Sequence, residues 1–305
     1  MGRAGEMALN SAAQSGAVSY STAATNGERW GEFADFAREA GAKYMEQVDR
    51  ETVVAYGEAL QEKVTAGELS AATAQNYVSA VNSVMAIATQ GKWESVSPTK
   101  DCGIEQRSGI ATENRAISEE KHAELVGNVS ERLGAMLDLQ RSLGLRFEES
   151  AKLDAGKALS EAQERGSVTV EAGTKGGLER TVPASPEAVA ALERAAEVQG
   201  GDRSMIPADQ TYAAFQSECY RELREAGGEG FHGERHAFAQ ERYSELTGAS
   251  APVVEGWGRE ERFERLADAL GVSVEEAKAK DEEARQQIAK ELGHGRIEVT
   301  NAYLG

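Results

Sequence analysis

Basic residues are scarce in this chain. Lys and Arg number 33 against 51 Asp and Glu, a net charge of −18 over 305 residues. The deficit is spread rather than confined to a tail: residues 1–106 carry 14 acids and 8 bases, and residues 107–247 carry 25 acids. That balance counts against a surface that is basic all over, so any DNA-binding face has to be a local basic stripe on an acidic body. A salt-rich cytoplasm is one cause of such acidity. Cysteine is almost absent. Cys102 and Cys219 lie far apart, belong to no C-x-x-C pair, and suit a reduced compartment with no disulfide framework. The four histidines, His122, His232, His236 and His294, show no Cys/His ligand spacing. No metal site and no cofactor are expected. No apolar run approaches the ~18 residues of a membrane span, and the N-terminus lacks a basic-then-apolar signal pattern. A soluble, cytoplasmic protein with no membrane partner is the expectation.

The chain has long Ala/Glu/Leu/Arg stretches, the mark of a mostly helical protein. Residues 1–25, rich in Ala, Ser, Thr and Gly, read as a flexible N-terminal segment, with a short partner-docking helix as the alternative. From Trp30, apolar residues recur at three- and four-residue spacing (Trp30, Phe33, Phe36, Ala37). Further helices are expected around Val53–Leu60 and Thr73–Ile87. Gly91 to Gly103 is a polar connector with Pro98, and residues 26–104 thus make a compact bundle of about four helices. In the second domain, residues 105–305, Ser118-Glu-Glu120 opens a helix with acids in its first turn. The β-branched runs Val168–Val170 and Arg180–Val182 flank Gly173-Thr-Lys-Gly-Gly177 and predict a β-hairpin. The fold class is therefore mainly α with a small β-hairpin.

Five short pieces then recur in order: Leu143-Gly-Leu-Arg146-Phe-Glu-Glu149, Thr174-Lys175-Gly-Gly177, His232-Gly-Glu-Arg235-His236, Leu292-Gly-His294-Gly-Arg296 and Thr300-Asn-Ala-Tyr303-Leu304. Each alone reads as an ordinary turn or helix end. An arginine suits a phosphate because its planar fork donates to two oxygens at once and stays charged. A lysine at a hairpin tip can reach and protonate a leaving oxygen. The H-x-x-R spacing at a helix start puts His232 and Arg235 on one face.

Together the five pieces resemble the active site of tyrosine recombinases of the phage-integrase type, over roughly residues 26–305. The resemblance implies that Tyr303 attacks a phosphodiester and forms a covalent 3′-phosphotyrosyl intermediate. Arg146 and Arg235 clamp the phosphate, and His232 accepts a proton or positions the substrate. His294 donates to a non-bridging oxygen and Lys175 protonates the 5′ leaving group, with Glu149 and His236 in support. It also implies that residues 26–104 are a core-binding (SAM-like) DNA-binding bundle, with Gln75, Asn76, Ser79 and Asn82 on its DNA-facing helix. Arg296 joins them as a DNA contact from the catalytic domain. The implied function is site-specific recombination, integrating or excising a mobile element. Its partner is double-stranded DNA with inverted half-sites, bound by a protein that assembles as a tetramer in the synapse and associates with the nucleoid. The alternatives are a DNA-binding relative that has lost turnover and a type IB topoisomerase.

Two departures stand out. Family members commonly carry leucine where this chain has Glu234, and that acid is expected to point outward, away from the phosphate. His232 and His294 are 62 residues apart, far more than in compact relatives. Residues 248–288 therefore read as a helical insertion, either a contact surface for DNA or a neighbouring subunit, or plain decoration. The sequence stops two residues after Tyr303, where many relatives continue into a helix that docks on a neighbour. Either the chain is a truncation, or assembly uses the insertion or the N-terminal segment.

Overall fold

Small residues dominate the first 25 positions, and their smallness is what packs. In the computed structural model, which describes residues 1–305, α1 (Gly2–Gln14) places Gly5, Leu9, Ala12 and Ala13 on one buried stripe. Gly5 lies directly on the indole of Trp30, where an added Cβ would sit 2.1 Å from Nε1. The expectation of a flexible segment is thus corrected. A stripe of Gly and Ala carries little hydrophobic signal, yet it lets two helices approach closely and bury Leu9 and Trp30 completely.

The chain divides into two compact units, residues 1–108 and 109–305. In the first, α1 packs with α2 (Tyr20–Glu39), α3 (Arg50–Thr65) and α4 (Ala71–Ala88) around Trp30, Phe33, Tyr56, Val78, Val81 and Val84. Side-chain oxygens of Ser19, Asp49 and Ser70 cap the last three helices by accepting from the backbone three residues on.

The second unit opens with α5 (Glu119–Asn128), capped by Ser118, and α6 (Glu131–Leu143), capped by Ser130. The α6 helix ends at Gly144, whose φ of +61° is easy only for glycine. A Cβ there would also meet the Phe238 ring at 2.5 Å. After the turn come α7 (Phe147–Lys152) and α8 (Ala155–Arg165), then the antiparallel hairpin of β1 (Ser167–Val170) and β2 (Arg180–Pro183). Val168 pairs with Val182 and Val170 with Arg180. The remaining helices are α9 (Pro186–Gln199), α10 (Tyr212–Glu225), α11 (His232–Thr247), α12 (Pro252–Glu255), α13 (Arg262–Leu270), α14 (Val274–Glu291) and α15 (Asn301–Leu304). Leu133, Leu137, Leu139, Val168, Leu192, Tyr243, Ile288 and Leu292 are among the residues of one continuous core.

Residues 248–288 form no separate lobe. Leu266, Ala267 and Ala277 gather Trp257, Leu270 and Val272 into a small apolar cluster. The α14 helix starts in that cluster and runs past residue 288 to the segment bearing His294. No helix of the protein is long and apolar enough to cross a membrane.

Candidate active site

The site begins with one carboxylate. Glu149, in the first turn of α7 and fully buried, accepts from the Arg146 backbone N–H at 2.7 Å and from Arg146 Nη1 at 2.7 Å. Arg180 grips the same carboxylate with both terminal nitrogens, at 2.8 and 2.7 Å, and Arg235 Nη1 lies 3.8 Å from it. Burial pushes the Glu149 carboxyl up, but the bonds and charge of Arg180 and Arg146 outweigh it and hold the group at about 2. Three guanidinium groups around one carboxylate leave a local excess of two positive charges inside an acidic protein. Nε and Nη2 of Arg146 have no protein partner, so this guanidinium keeps donors for a ligand.

Arg235 is completely buried. Its Nη1 donates to the Gly144 carbonyl and its Nη2 to the Leu292 carbonyl, which ties the turn before Arg146 to the turn before His294. Its Nε points at the Tyr303 hydroxyl, 3.4 Å away. Burial lowers the Arg235 guanidinium to about 10, so it remains charged at neutral pH.

Tyr303 sits on α15 with its ring against His236 and His294, at centroid distances of 4.6 and 5.6 Å. Burial, then the positive neighbours, depresses both imidazoles, His236 to about 4 and His294 to about 3. Both are neutral at pH 7. His294 Nε2 is buried without any hydrogen-bond partner, an orphan that a phosphate oxygen can satisfy. His232, at the start of α11, lies exposed at the edge of the site, and its imidazole is lowered by desolvation and then by Arg235 and Arg146.

Lys175 stands exposed on the connection between the strands and makes no ion pair. That connection is anchored to the site by Gly173 (φ +73°), where a Cβ would be 2.7 Å from the Glu148 carbonyl oxygen on α7. Arg296 is exposed beyond His294.

Two expectations are corrected. Glu234 does not point into solvent. It is fully buried and faces α5 and α6, where its oxygens meet His122 Nδ1 at 2.9 Å and Arg141 Nη1 at 3.4 Å. One residue along a helix is a rotation of about 100°, so the acid beside Arg235 in sequence turns away from the phosphate clamp. The polar atoms of Gln75 and Asn82 are held inside the first unit: Gln75 Nε2 donates to the Glu105 carbonyl, and Asn82 bonds Val96 and the Trp93 indole. Asn76 is half-buried, while Ser79 is exposed with its hydroxyl on the Gln75 carbonyl. The residue that sequence reasoning missed is Arg180. The alternation of β2 puts it on the same buried face as Val182, a period-two signal that was there to read.

Comparison with known proteins bears on the fold. Residues 103–241 match the family model described as Integrase. The fold is that of a lambda integrase fragment (75–356), solved as a dimer bound to a COC′ core site, with TM-score 0.50, 15% identity, 87% of this chain and 89% of that one covered. A longer lambda integrase dimer on the same site gives 0.50 at 14% identity, covering 90% of this chain and 76% of that one. The XerA recombinase gives 0.41 at 16% identity, covering 98% and 93%. No curated protein matches the sequence. The fold matches that of tyrosine-recombinase catalytic domains. Over residues 103–241 the chain is similar to the integrase family.

Proposed function

We propose that this recombinase cuts duplex DNA by attack of the Tyr303 oxygen on a scissile phosphorus held between Arg146 and Arg235. The observation that carries the proposal is the Tyr303 hydroxyl lying 3.4 Å from the Arg235 Nε, beside two neutral imidazoles. As the new phosphorus–oxygen bond forms, the bond to the 5′ oxygen breaks. Lys175 supplies the proton to that oxygen, and neutral His232 takes the proton of the phenol. Charge growing on the non-bridging oxygens is met by donors already in place, Arg146, Arg235 and the orphan His294 Nε2. A single oxyanion donor of this kind is worth about 3–4 kcal/mol in well-studied enzymes. Attack by the freed 5′ hydroxyl of a partner strand reverses the steps and reseals the DNA.

We assign duplex DNA with two inverted half-sites as the substrate, a dimer on each site and a tetramer in the synapse. The lambda integrase structures of like fold, dimers on a core site, support the dimeric part. The first unit is assigned as the second DNA-binding element, the product as an integrated or excised mobile element, and the nucleoid as the place of action. A duplex nicked just beyond the scissile position tests the assignment, because loss of the short 5′ fragment traps the intermediate. A denaturation-resistant protein–DNA adduct is expected from the wild type. Binding with no adduct would favour a relative without turnover, and relaxation of supercoiled DNA lacking any specific site would favour a topoisomerase.

A further inference from the structure

Asp281 and Arg285 form an ion pair one turn apart on α14, each only 3% exposed. Arg285 Nε donates to both Asp281 oxygens at 2.9 Å, and the fully buried Tyr243 hydroxyl of α11 donates to Asp281 Oδ1 at 2.8 Å. Such a pair adds little stability over apolar residues of similar volume, since desolvation cancels most of the attraction. Its geometry instead suggests work elsewhere. The two remaining Arg285 nitrogens leave α14 altogether: Nη1 donates to Asn301 Oδ1 at 2.9 Å and Nη2 to the Gly305 carbonyl at 2.8 Å. These acceptors lie two residues before and two residues after Tyr303. The helix that carries Tyr303 has four residues, too few to hold a conformation or direction by itself. Its other anchors are the Ala111 N–H on the Asn301 carbonyl, Gln240 Nε2 on the Tyr303 carbonyl and a long contact from Arg262 to Gly305.

We propose that Tyr243, Asp281 and Arg285 form a clamp that positions the nucleophile, fixing the Tyr303 helix from both sides so that its hydroxyl meets the phosphate. The three are positioning residues, none of them touching the reacting atoms. The clamp rests on the reading of Tyr303 as nucleophile. It places a role in catalysis inside the stretch that looked like insertion, because Asp281 and Arg285 lie within residues 248–288. Misplacing a reacting atom by about 1 Å can cost on the order of 100-fold in rate, so a clamp remote from the phosphate has leverage on cleavage.

The test replaces the cluster by apolar residues of similar size, Tyr243→Phe, Asp281→Leu and Arg285→Met together, in the full chain. Three quantities are read: thermal stability, amide hydrogen exchange of residues 301–305, and the single-turnover rate of adduct formation on the nicked duplex at saturating DNA. The clamp predicts a melting temperature equal to or above wild type, faster exchange confined to residues 301–305, and adduct formation at least about ten-fold slower at unchanged DNA affinity. Wild-type exchange and wild-type rate would overturn it. So would a rate loss accompanied by global loosening, which marks a merely structural cluster. Should the triple variant not fold, Arg285→Lys reads the same quantities, since a lysine cannot grip Asp281, Asn301 and Gly305 together. Wild-type values there would overturn the clamp as well. If exchange at 301–305 quickens in the variants but the wild type itself forms no adduct, the clamp stands and the nucleophile assignment falls.

Discussion

Around Glu149 three arginines with different duties share one carboxylate, and the division explains what a motif can and cannot reveal. Arg146 and Arg235 stood out only because the five pieces together resemble an integrase active site. Arg180 was not, because its partners, Glu149 and the Glu291 carbonyl, lie 31 and 111 residues away. Glu234 misled for the same reason: His122 and Arg141, which neutralise it, are 112 and 93 residues distant. Lys175, exposed on the connection between the strands, gives a sharp chemical prediction. Lys175→Ala will slow cleavage of ordinary DNA much more than cleavage of DNA with a 5′-bridging phosphorothiolate, whose sulfur leaves without a proton. Equal slowing on both substrates, measured in single turnovers, would remove Lys175 from the role of acid. His122 gives a prediction for stability. Burial opposes its charge, but bonds to Asp138 and Glu234 prevail and raise the imidazole to about 9. A raised folded value means stability present in full below the unfolded value of about 6.5 and lost as pH climbs through 9, roughly 3 kcal/mol across that window. Urea midpoints should fall between pH 6.5 and 9 in the wild type, and His122→Gln, which keeps hydrogen bonds but does not titrate, should lose that slope.

Helices and the hairpin were readable where periodicity was strong and capping residues stood in place, as at Ser118 before α5. The hairpin followed from two β-branched runs around a Gly-rich turn. The α1 helix escaped because Gly and Ala look like loop composition until a large partner such as Trp30 is packed on them. Gly5→Val therefore puts branched carbon where the indole already is. Overpacking of this kind costs about 1–3 kcal/mol, so the melting temperature should drop and Trp30 fluorescence should shift toward that of solvent-exposed indole. A fully stable variant would mean that α1 is not docked on Trp30. The α14 helix shows a second limit. Its polar composition reads as a solvated insertion, yet Ala277, Ala284 and Ile288 are buried together with Asp281 and Arg285. Those buried charges have partners on α11 and α15 that no local pattern could indicate.

For the molecule as a whole, the net charge of −18 and a site built on arginines set two trends against each other. Each phosphate neutralised should contribute about −0.9 to the slope of log affinity against log salt. The acidic remainder repels DNA, and salt screens that repulsion within roughly 10 Å at 0.1 M. Affinity should therefore fall with added salt, but less steeply than for a basic recombinase with the same footprint. A flat or rising curve over a salt series would mean that phosphate contacts do not drive binding. The most direct test of the chemistry is the nicked-duplex trap run on the wild type and on Tyr303→Phe side by side, with the adduct mapped by peptide mass. The wild type should yield a covalent DNA adduct at Tyr303 alone, and Tyr303→Phe should bind the same duplex with equal affinity and yield none. An adduct formed by Tyr303→Phe, or mapped to any other residue of the wild type, would contradict the assignment.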